Sequence, residues 1–189
     1  MRKKTKTKSK KALLTVFGKD RPGIIAEVTG VLFESKCNLE DVSMTILEGE
    51  FAMMLILSFV SKTHHEIETR LNRLRSKWNL VFFWKEIDTQ LHRGEKHTQG
   101  STTYLINAIG RDRTGIVYQI SKLLADFRLN ITDLNSKILG RGSKALYAMM
   151  LEADMPPRFN LSPFRRALDR LSRKLKVEIQ IKPLEPIEF

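Results

Sequence analysis

The sequence predicts an α+β protein made of two copies of one βαββαβ unit. The first observation behind this prediction is a motif that occurs twice, as GKDRPGII at 18–25 and as GRDRTGIV at 110–117. The second observation is that the same features follow each motif in the same order, down to FAMM at 51–54 and YAMM at 147–150. Self-similarity with only two long copies indicates two sibling domains and not a solenoid.

Hydrophobic periodicity assigns the same elements to both copies. We expect the strands of the first copy at Ala12–Phe17, Val42–Leu47, Phe51–Val60 and Leu80–Ile87. We expect those of the second copy at Thr103–Ile109, Leu134–Leu139, Ala145–Ala153 and Lys176–Ile181. In each copy one helix follows the motif and another precedes the last strand, because apolar residues recur there at helical spacing. This order predicts a ferredoxin-like fold, with an antiparallel four-stranded sheet and two helices on one face.

Local signals place the starts of the second helices. Thr63 followed by Glu66 fits a capping box, in which the Thr hydroxyl and the Glu carboxylate each accept a backbone N–H. Ser162 before Pro163 fits a helix N-cap followed by proline at the first helical position. Gly30 lies inside the first helix, where glycine is disfavoured, and a close backbone approach would explain its presence there.

Charge and composition divide the chain into four segments. The net charge is +12, and the block Met1–Lys11 contributes +7 of it without a single acidic residue. Such a block is predicted to be a disordered basic tail. We therefore expect a tail at 1–11, a first domain at 12–90, a polar linker at 91–100 and a second domain at 101–189.

The cellular location is predicted from what the sequence lacks. Cys37 is the single cysteine, so no intramolecular disulfide can form. No apolar run approaches the roughly 20 residues that span a bilayer, and no apolar signal core follows the basic start. These observations predict a cytoplasmic protein without a membrane partner.

The strand Phe51–Val60 is apolar at nearly every position, although one face of a two-layer sheet would normally alternate with polar residues. We expect its uncovered face to meet the sibling domain or a second chain. The alternative is that Met and Phe lie on a mildly apolar surface, which is common in soluble proteins.

The repeated motif has a possible chemical role. Gly23 and Gly115 begin helices, where unpaired backbone N–H groups and the positive end of the helix dipole could bind a carboxylate. Asp20 or Asp112, one turn earlier, could accept hydrogen bonds from an ammonium group. Together these groups would form a receptor for a zwitterion. The structural alternative, which the motif alone favours, is that Asp caps the helix and Gly permits the turn.

The whole pattern resembles the ACT domain, a regulatory module that often binds amino acids. The resemblance rests on the βαββαβ unit, on the loop with Asp, Arg and Gly, and on an Asn fifteen residues after the loop glycine. That spacing holds from Gly23 to Asn38 and from Gly115 to Asn130. Two such units without a catalytic domain resemble the glycine cleavage system transcriptional repressor group.

The resemblance implies an amino-acid site between paired domains, built from the loop and the Asn. The residues carried over are Gly18, Asp20, Arg21, Pro22, Gly23, Ile24, Asn38, Gly110, Asp112, Arg113, Gly115, Ile116 and Asn130. Gly18 and Asp20 stand where a serine-binding site would favour His and Asn, so serine is not implied. Thr114 replaces the proline found at Pro22, so the second loop is less rigid. Both Asn residues have an alternative explanation as left-handed C-caps of the preceding helices.

These observations predict a non-enzymatic regulatory protein that senses an amino acid and modulates a partner, such as a transcription regulator of glycine or one-carbon metabolism. A homodimer is expected. No catalytic residue, metal site or cofactor is predicted, because GxSxG, P-loop and GxGxxG motifs are absent from the sequence. Adjacent His64 and His65 cannot share a helix face, and Cys37 has no evident partner.

Two alternatives stay open. The paired units could serve only for assembly, without a ligand. The chain could also bind nucleic acid through the basic tail and the last helix, which carries Arg165, Arg166, Arg170, Arg173 and Lys174. The default explanation of that helix is a solvated face, and the tail has no aromatic residue to stack on bases, so direct nucleic-acid binding is not favoured.

Overall fold

A computed structural model describes residues 9–87, 97–98, 100–142 and 145–184, apart from the side chain of Lys62. The described residues form two compact units, one from each sequence copy. Both units have the predicted βαββαβ order, so the ferredoxin-like fold class is confirmed.

The elements of each unit follow one another in the same order. The first unit contains β1 (Ser9–Lys19), α1 (Ile24–Glu34), β2 (Asn38–Leu47), β3 (Glu50–Val60), α2 (His64–Trp78) and β4 (Val81–Ile87). The second unit contains β5 (Thr102–Arg111), α3 (Ile116–Asp126), β6 (Asn130–Leu139), β7 (Leu146–Met155), α4 (Leu161–Leu175) and β8 (Val177–Pro183). The strand orders are β2-β3-β1-β4 and β6-β7-β5-β8, with every neighbouring pair antiparallel.

One sheet face in each unit packs against the two helices and forms a continuous apolar core. In the first unit the core joins alternate residues of β1 and β3, such as Leu14 and Leu55, to Val28 of α1 and Ile67 of α2. The second unit repeats this arrangement around Ile106 and its neighbours. Burial of apolar area on this single face is the main stabilising contribution, at roughly 25 cal/mol per Å².

The opposite sheet face is exposed in both units, and its character differs between them. The first unit presents the apolar side chains Phe17, Met54, Val81 and Phe83, which are between 45% and 59% exposed. The positions equivalent by strand register in the second unit hold Ile109, Met150, Glu178 and Gln180. A covering partner for the first sheet stays a prediction, and the apolar character of that face supports it.

Strand β1 begins earlier than predicted. Residues Ser9, Lys10 and Lys11 belong to this strand and not to a disordered tail. Lys10 forms an ion pair with Glu86 at 2.8 Å, and Lys11 forms one with Glu40 at 2.6 Å. The last basic residues of the predicted tail are therefore part of the sheet, and their ammonium groups form ion pairs with glutamates of other strands. The remainder of that tail, residues 1–8, lies outside the described residues.

The predicted N-cap position is confirmed for α2, which begins after Thr63, but the capping-box hydrogen bonds are wrong there, and the predicted N-cap of α4 is wrong altogether. The Thr63 hydroxyl donates to the Val60 carbonyl at 2.8 Å and caps no helix N–H. The Glu66 carboxylate instead pairs with Arg70 one turn later. Helix α4 starts two residues earlier than expected, because the Asn160 side chain accepts the Ser162 N–H at 3.2 Å.

The interpretation of both Asn residues as helix C-caps is also wrong. The left-handed residues after α1 and α3 are Lys36 (φ 57°) and Arg128 (φ 58°). Asn38 and Asn130 come two residues later, as the first residues of β2 and β6.

The close backbone approach expected at Gly30 is also wrong. A Cβ added at Gly30 would meet nothing within 4 Å.

We predict that Gly30→Ala raises the free energy of unfolding by about 0.5–1 kcal/mol, because alanine fits the open space and favours the helix. Gly49→Ala is the matched control, since its added Cβ also meets nothing within 4 Å but its φ is +81°. That left-handed backbone should make the control variant less stable than the parent protein. Urea unfolding followed by circular dichroism measures both changes. Destabilisation by Gly30→Ala would contradict the placement of Gly30 in a helix with open space beside it.

Candidate functional site

The first glycine of each repeated motif is required by packing. A Cβ on Gly18 would lie 2.5 Å from Leu80 Cδ2, and one on Gly110 would lie 2.6 Å from Val177 Cγ1. In the second unit that Cβ would also lie 2.9 Å from the Val177 Cα atom. The first glycine therefore lets the last strand of each unit pass close to the end of its first strand.

The second glycine of each motif is required by backbone conformation. Gly23 has a φ of 96° and Gly115 has a φ of 93°, and each is the N-cap of the following helix. Within the described residues, neither the Asp20 nor the Asp112 carboxylate accepts a helix N–H, so the alternative in which these aspartates cap the helices is wrong. The explanation that glycine permits the turn is supported, because only glycine adopts this conformation without a steric cost.

The start of each helix leaves polar groups available. The first N–H groups of a helix have no intrahelical partner and carry the positive end of its dipole. Behind them, Ile24 and Ile116 are buried in the cores and fix the first turns of α1 and α3. The loops Arg21–Gly23 and Arg113–Thr114 are exposed above these turns.

Arg21 and Arg113 have different surroundings although they occupy equivalent positions. The guanidinium of Arg21 lies 4.5 Å from the centre of the Trp78 ring, and its Nη2 atom donates to the Trp78 carbonyl. The residue equivalent to Trp78 is Leu175, because each is the last residue of a fifteen-residue helix. No such aromatic surface is therefore available to Arg113 at that position. Both arginines are exposed, but Arg21 is held by its contacts with Trp78.

The two motif aspartates are exposed and unused by the fold. The backbone N–H of Asp20 donates to the Gly49 carbonyl at 2.8 Å, which ties the loop to the β2–β3 turn. Within the described residues, neither the Asp20 nor the Asp112 carboxylate makes a hydrogen bond or an ion pair. These carboxylates are therefore free to accept hydrogen bonds from a ligand.

The Asn of each predicted site lies at the other end of the sheet. On β3, Gly18 is opposite Phe51 and Asn38 is opposite Ser58, seven positions further along. On β7, Gly110 is opposite Tyr147 and Asn130 is opposite Asp154, again seven positions apart. Seven strand residues span about 24 Å, at about 3.4 Å per residue. The loop and the Asn of one unit therefore cannot contact one small ligand together.

A shallow cavity of about 440 Å³ lies on the exposed sheet face of the second unit. Its lining includes the amides of Asn107, Asn135 and Gln180, the charged Lys137 and Glu178, and the apolar Met150. The size and mixed lining are those of a small-molecule site. It gives a second location at which a polar ligand could bind.

A buried aspartate joins the end of the predicted linker to the second unit. Asp154 is 4% exposed, and its carboxylate lies 2.9 Å from His97 Nδ1. It also accepts the Thr98 backbone N–H at 2.7 Å and the Thr103 hydroxyl at 3.0 Å. Sequence reasoning missed this cluster, because 57 residues separate His97 from Asp154.

The electrostatics of this cluster follow from its contacts. Burial raises the pKa of Asp154, but the hydrogen bonds from His97, Thr98 and Thr103 oppose it, and the net pKa lies below the ordinary value. The carboxylate is therefore charged at neutral pH, and its lone pairs serve to hold residues 97 and 98 against β5 and β7.

Other reactive groups are unsuited to catalysis or have no suitable arrangement. Burial raises the pKa of Cys37 to about 11, so its thiol stays protonated at neutral pH and is a poor nucleophile. Within the described residues, no group of three or more His, Cys, Asp or Glu could hold a metal ion. None of the described helices is long and apolar enough to cross a membrane.

The fold and the paired loops define a protein with two ferredoxin-like units that carry the same glycine-bounded turn. The chain belongs to the ACT-domain family, since the model of that domain matches residues 10–85 and 102–182. The resemblance inferred from the motif is thus confirmed.

Sequence relatives correspond in length to one unit. A UPF0237 protein of Methanosarcina mazei is 30% identical over 90 residues, which are 47% of this chain and 94% of that protein. The UPF0237 protein lin0537 of Listeria innocua is 44% identical over 63 residues, which are 32% of this chain and 71% of that protein.

Two crystal structures match nearly the whole chain. One is of an unknown protein from Galdieria sulphuraria, with 24% identity and a TM-score of 0.75, covering 94% of this chain and 100% of the other. The second is of a "putative glycine cleavage system transcriptional repressor", with 20% identity and a TM-score of 0.69, covering 94% and 99%. At these identities the two structures show the shared fold alone.

We predict that Asp154→Asn lowers the free energy of unfolding of the second unit by about 1–3 kcal/mol at neutral pH, because it removes a charged acceptor of three hydrogen bonds. The folded-state pKa lies below the ordinary value of 3.8, so the charge-dependent stability is present above that value. It is lost as the pH falls through the folded-state pKa.

Urea unfolding of the parent and Asp154→Asn proteins between about pH 3 and 7 measures this difference. The difference in free energy of unfolding between the two proteins should become smaller as the pH falls. Asp126→Asn is the matched control, because Asp126 is exposed and pairs only with Lys122 within the described residues. A gap that is equally large at every pH would contradict the assigned role of the Asp154 charge.

Proposed function

We propose that this ACT-domain protein is a non-enzymatic regulator that binds an amino acid at an interface of paired ACT domains. Ligand binding then alters its contact with a protein partner, such as a transcription regulator of glycine or one-carbon metabolism. A homodimer in the cytoplasm is part of this proposal. The observation that carries it is the free carboxylate of Asp20, and of Asp112, beside an uncapped helix start.

The chemistry of this pair of groups fits an α-amino acid. The N–H groups at the start of α1 can bind a carboxylate, and the glycine at the N-cap leaves the backbone accessible. The Asp20 carboxylate can accept hydrogen bonds from the ammonium group of the same ligand, and charge-assisted bonds of this kind are the stronger ones. The fold already requires both Gly18 and Gly23, so their presence alone is not evidence of a ligand.

The separation of loop and Asn supports a site shared by two units. Because Asn38 lies about 24 Å from the loop along its own sheet, a ligand at that loop must take its Asn contact from another unit. Antiparallel pairing of two units about a twofold axis would bring the loop of one beside the Asn of the other. At a shared site, ligand binding is coupled to the arrangement of the two units, because the ligand favours the arrangement that binds it better.

Isothermal titration of the parent protein with each of the twenty amino acids tests ligand binding. Asp20→Asn should weaken the affinity for the amino acid that binds by at least about tenfold, the effect of losing one charged hydrogen-bond partner. Asp112→Asn tests the second loop in the same way. Asp169→Asn is the matched control, because Asp169 is exposed on α4 and lies outside both loops.

Two results would contradict different parts of the proposal. No heat with any amino acid, from protein shown to be folded, would contradict ligand binding and favour an assembly role. Binding that is unaffected by Asp20→Asn and Asp112→Asn but lost in Asn107→Thr would place the ligand in the sheet-face cavity. Thr is the matched replacement there, because Thr15 occupies the equivalent position of the first unit.

A further inference from the structure

The two helix layers of the chain differ in charge although they have the same fold. Helices α1 and α2 together carry four basic and four acidic residues, so their net charge is zero. Helices α3 and α4 carry six basic and two acidic residues, which gives a net charge of +4. Because the two layers share one fold, the fold does not require this difference in charge.

In the first helix layer, Arg70 and Lys77 form ion pairs, whereas Arg73 and Arg75 form none within the described residues. Arg70 pairs with Glu66 at 2.8 Å and also with Glu34 on the neighbouring helix. Lys77 pairs with Glu27 across the same two helices at 3.4 Å. The exposed face of α2 is thus the solvated, ion-paired surface that is normal for such a helix.

Helix α4 lacks this compensation. Its five cations are all exposed, and none forms an ion pair within the described residues: Arg165, Arg166, Arg170, Arg173 and Lys174. A stripe of cations runs along one side of α4 for about 12 Å, at about 1.5 Å per residue. It consists of Arg166, Arg170 and Lys174, each four residues after the last, and of Arg173 beside them. Four of the five cations are arginines, whose planar forks match phosphate oxygens.

We propose that the exposed face of α4 binds the phosphate backbone of nucleic acid without sequence preference. The stripe of cations supplies the electrostatic contact, which releases condensed counterions from the nucleic acid. Contacts to phosphate fix position but carry no sequence information, and the face presents no aromatic side chain for stacking on bases.

The composition of this face distinguishes nucleic acid from other anionic partners. Every exposed residue of α4 between Ser162 and Lys174 is polar or charged. A protein interface would need an apolar or aromatic centre, and a helix lying on a membrane would need an apolar face turned toward the lipid. The apolar side of α4, with Phe164 and Leu168, is already buried in the core. A phosphate backbone is the partner that requires charge alone.

Fluorescence anisotropy with the full-length protein tests this proposal. The probes are two labelled DNA duplexes of unrelated sequence, each of about two helical turns, at about 50 and 200 mM KCl. Both duplexes should bind with equal affinity. The double variant Arg166→Gln/Arg170→Gln should bind at least about tenfold more weakly, and the salt slope should fall by about 2, or about 0.9 for each phosphate contact.

The matched control is Arg73→Gln/Arg75→Gln on α2, which removes the same charge from exposed positions of the sibling helix. Arg73 is the positional equivalent of Arg170, since α2 and α4 have the same length. Circular dichroism shows whether each variant is folded. Because no amino acid is added, this result is independent of the proposed ligand site.

Several outcomes would overturn the proposal. Equal weakening by the α4 and α2 variants would show that net charge or the basic block Met1–Lys11 drives binding, and not α4. Equal affinity for a labelled polyglutamate peptide would assign the face to acidic proteins. No binding of either duplex at the lower salt concentration would leave α4 as a solvated helix.

Discussion

The turn from the first strand to the first helix depends on two glycines in each unit, and the rest of the candidate site depends on that turn. Gly18 and Gly110 let the last strand approach, and Gly23 and Gly115 adopt a left-handed conformation that starts the helix. Once these constraints are satisfied, most of the repeated motif is explained by the fold. Arg21 is held by Trp78, and the aspartate carboxylates, together with Arg113 in the second motif, are left without a structural role within the described residues.

The two units show how far a duplicated fold can diverge while its core is kept. Alternate strand residues and the inner faces of the helices are apolar in both copies, because each sheet buries one face. The outer surfaces have no such constraint. The exposed sheet face changes from Phe83 to Gln180 and from Val81 to Glu178. The net charge of the helix layer changes from zero to +4. The two copies thus differ in their surfaces and not in their cores.

The order of elements could be predicted from the sequence, because periodicity reports which face of a strand or helix is buried. The side chains that cap the helices could not be predicted, since the Thr63 hydroxyl donates to the Val60 carbonyl and Asn160, not Ser162, caps α4. The distance between the loop and the Asn could not be predicted from the sequence either. Fifteen residues suggest proximity, but α1 carries the chain about 16 Å along its axis, toward the far end of the sheet. The Asp154 cluster joins residues too distant in sequence for any local pattern to indicate it.

The placement of loop and Asn at opposite ends of each sheet has a thermodynamic consequence. Under the proposed function, a unit taken alone would hold two unlike parts of a site, the loop and the Asn, at opposite ends of its sheet. If two chains complete a site, ligand affinity follows mass action in the protein itself and weakens on dilution. If the two units of one chain complete it, affinity is independent of protein concentration. Ligand titrations at two protein concentrations would therefore show whether the site is completed by two chains or by the two units of one chain.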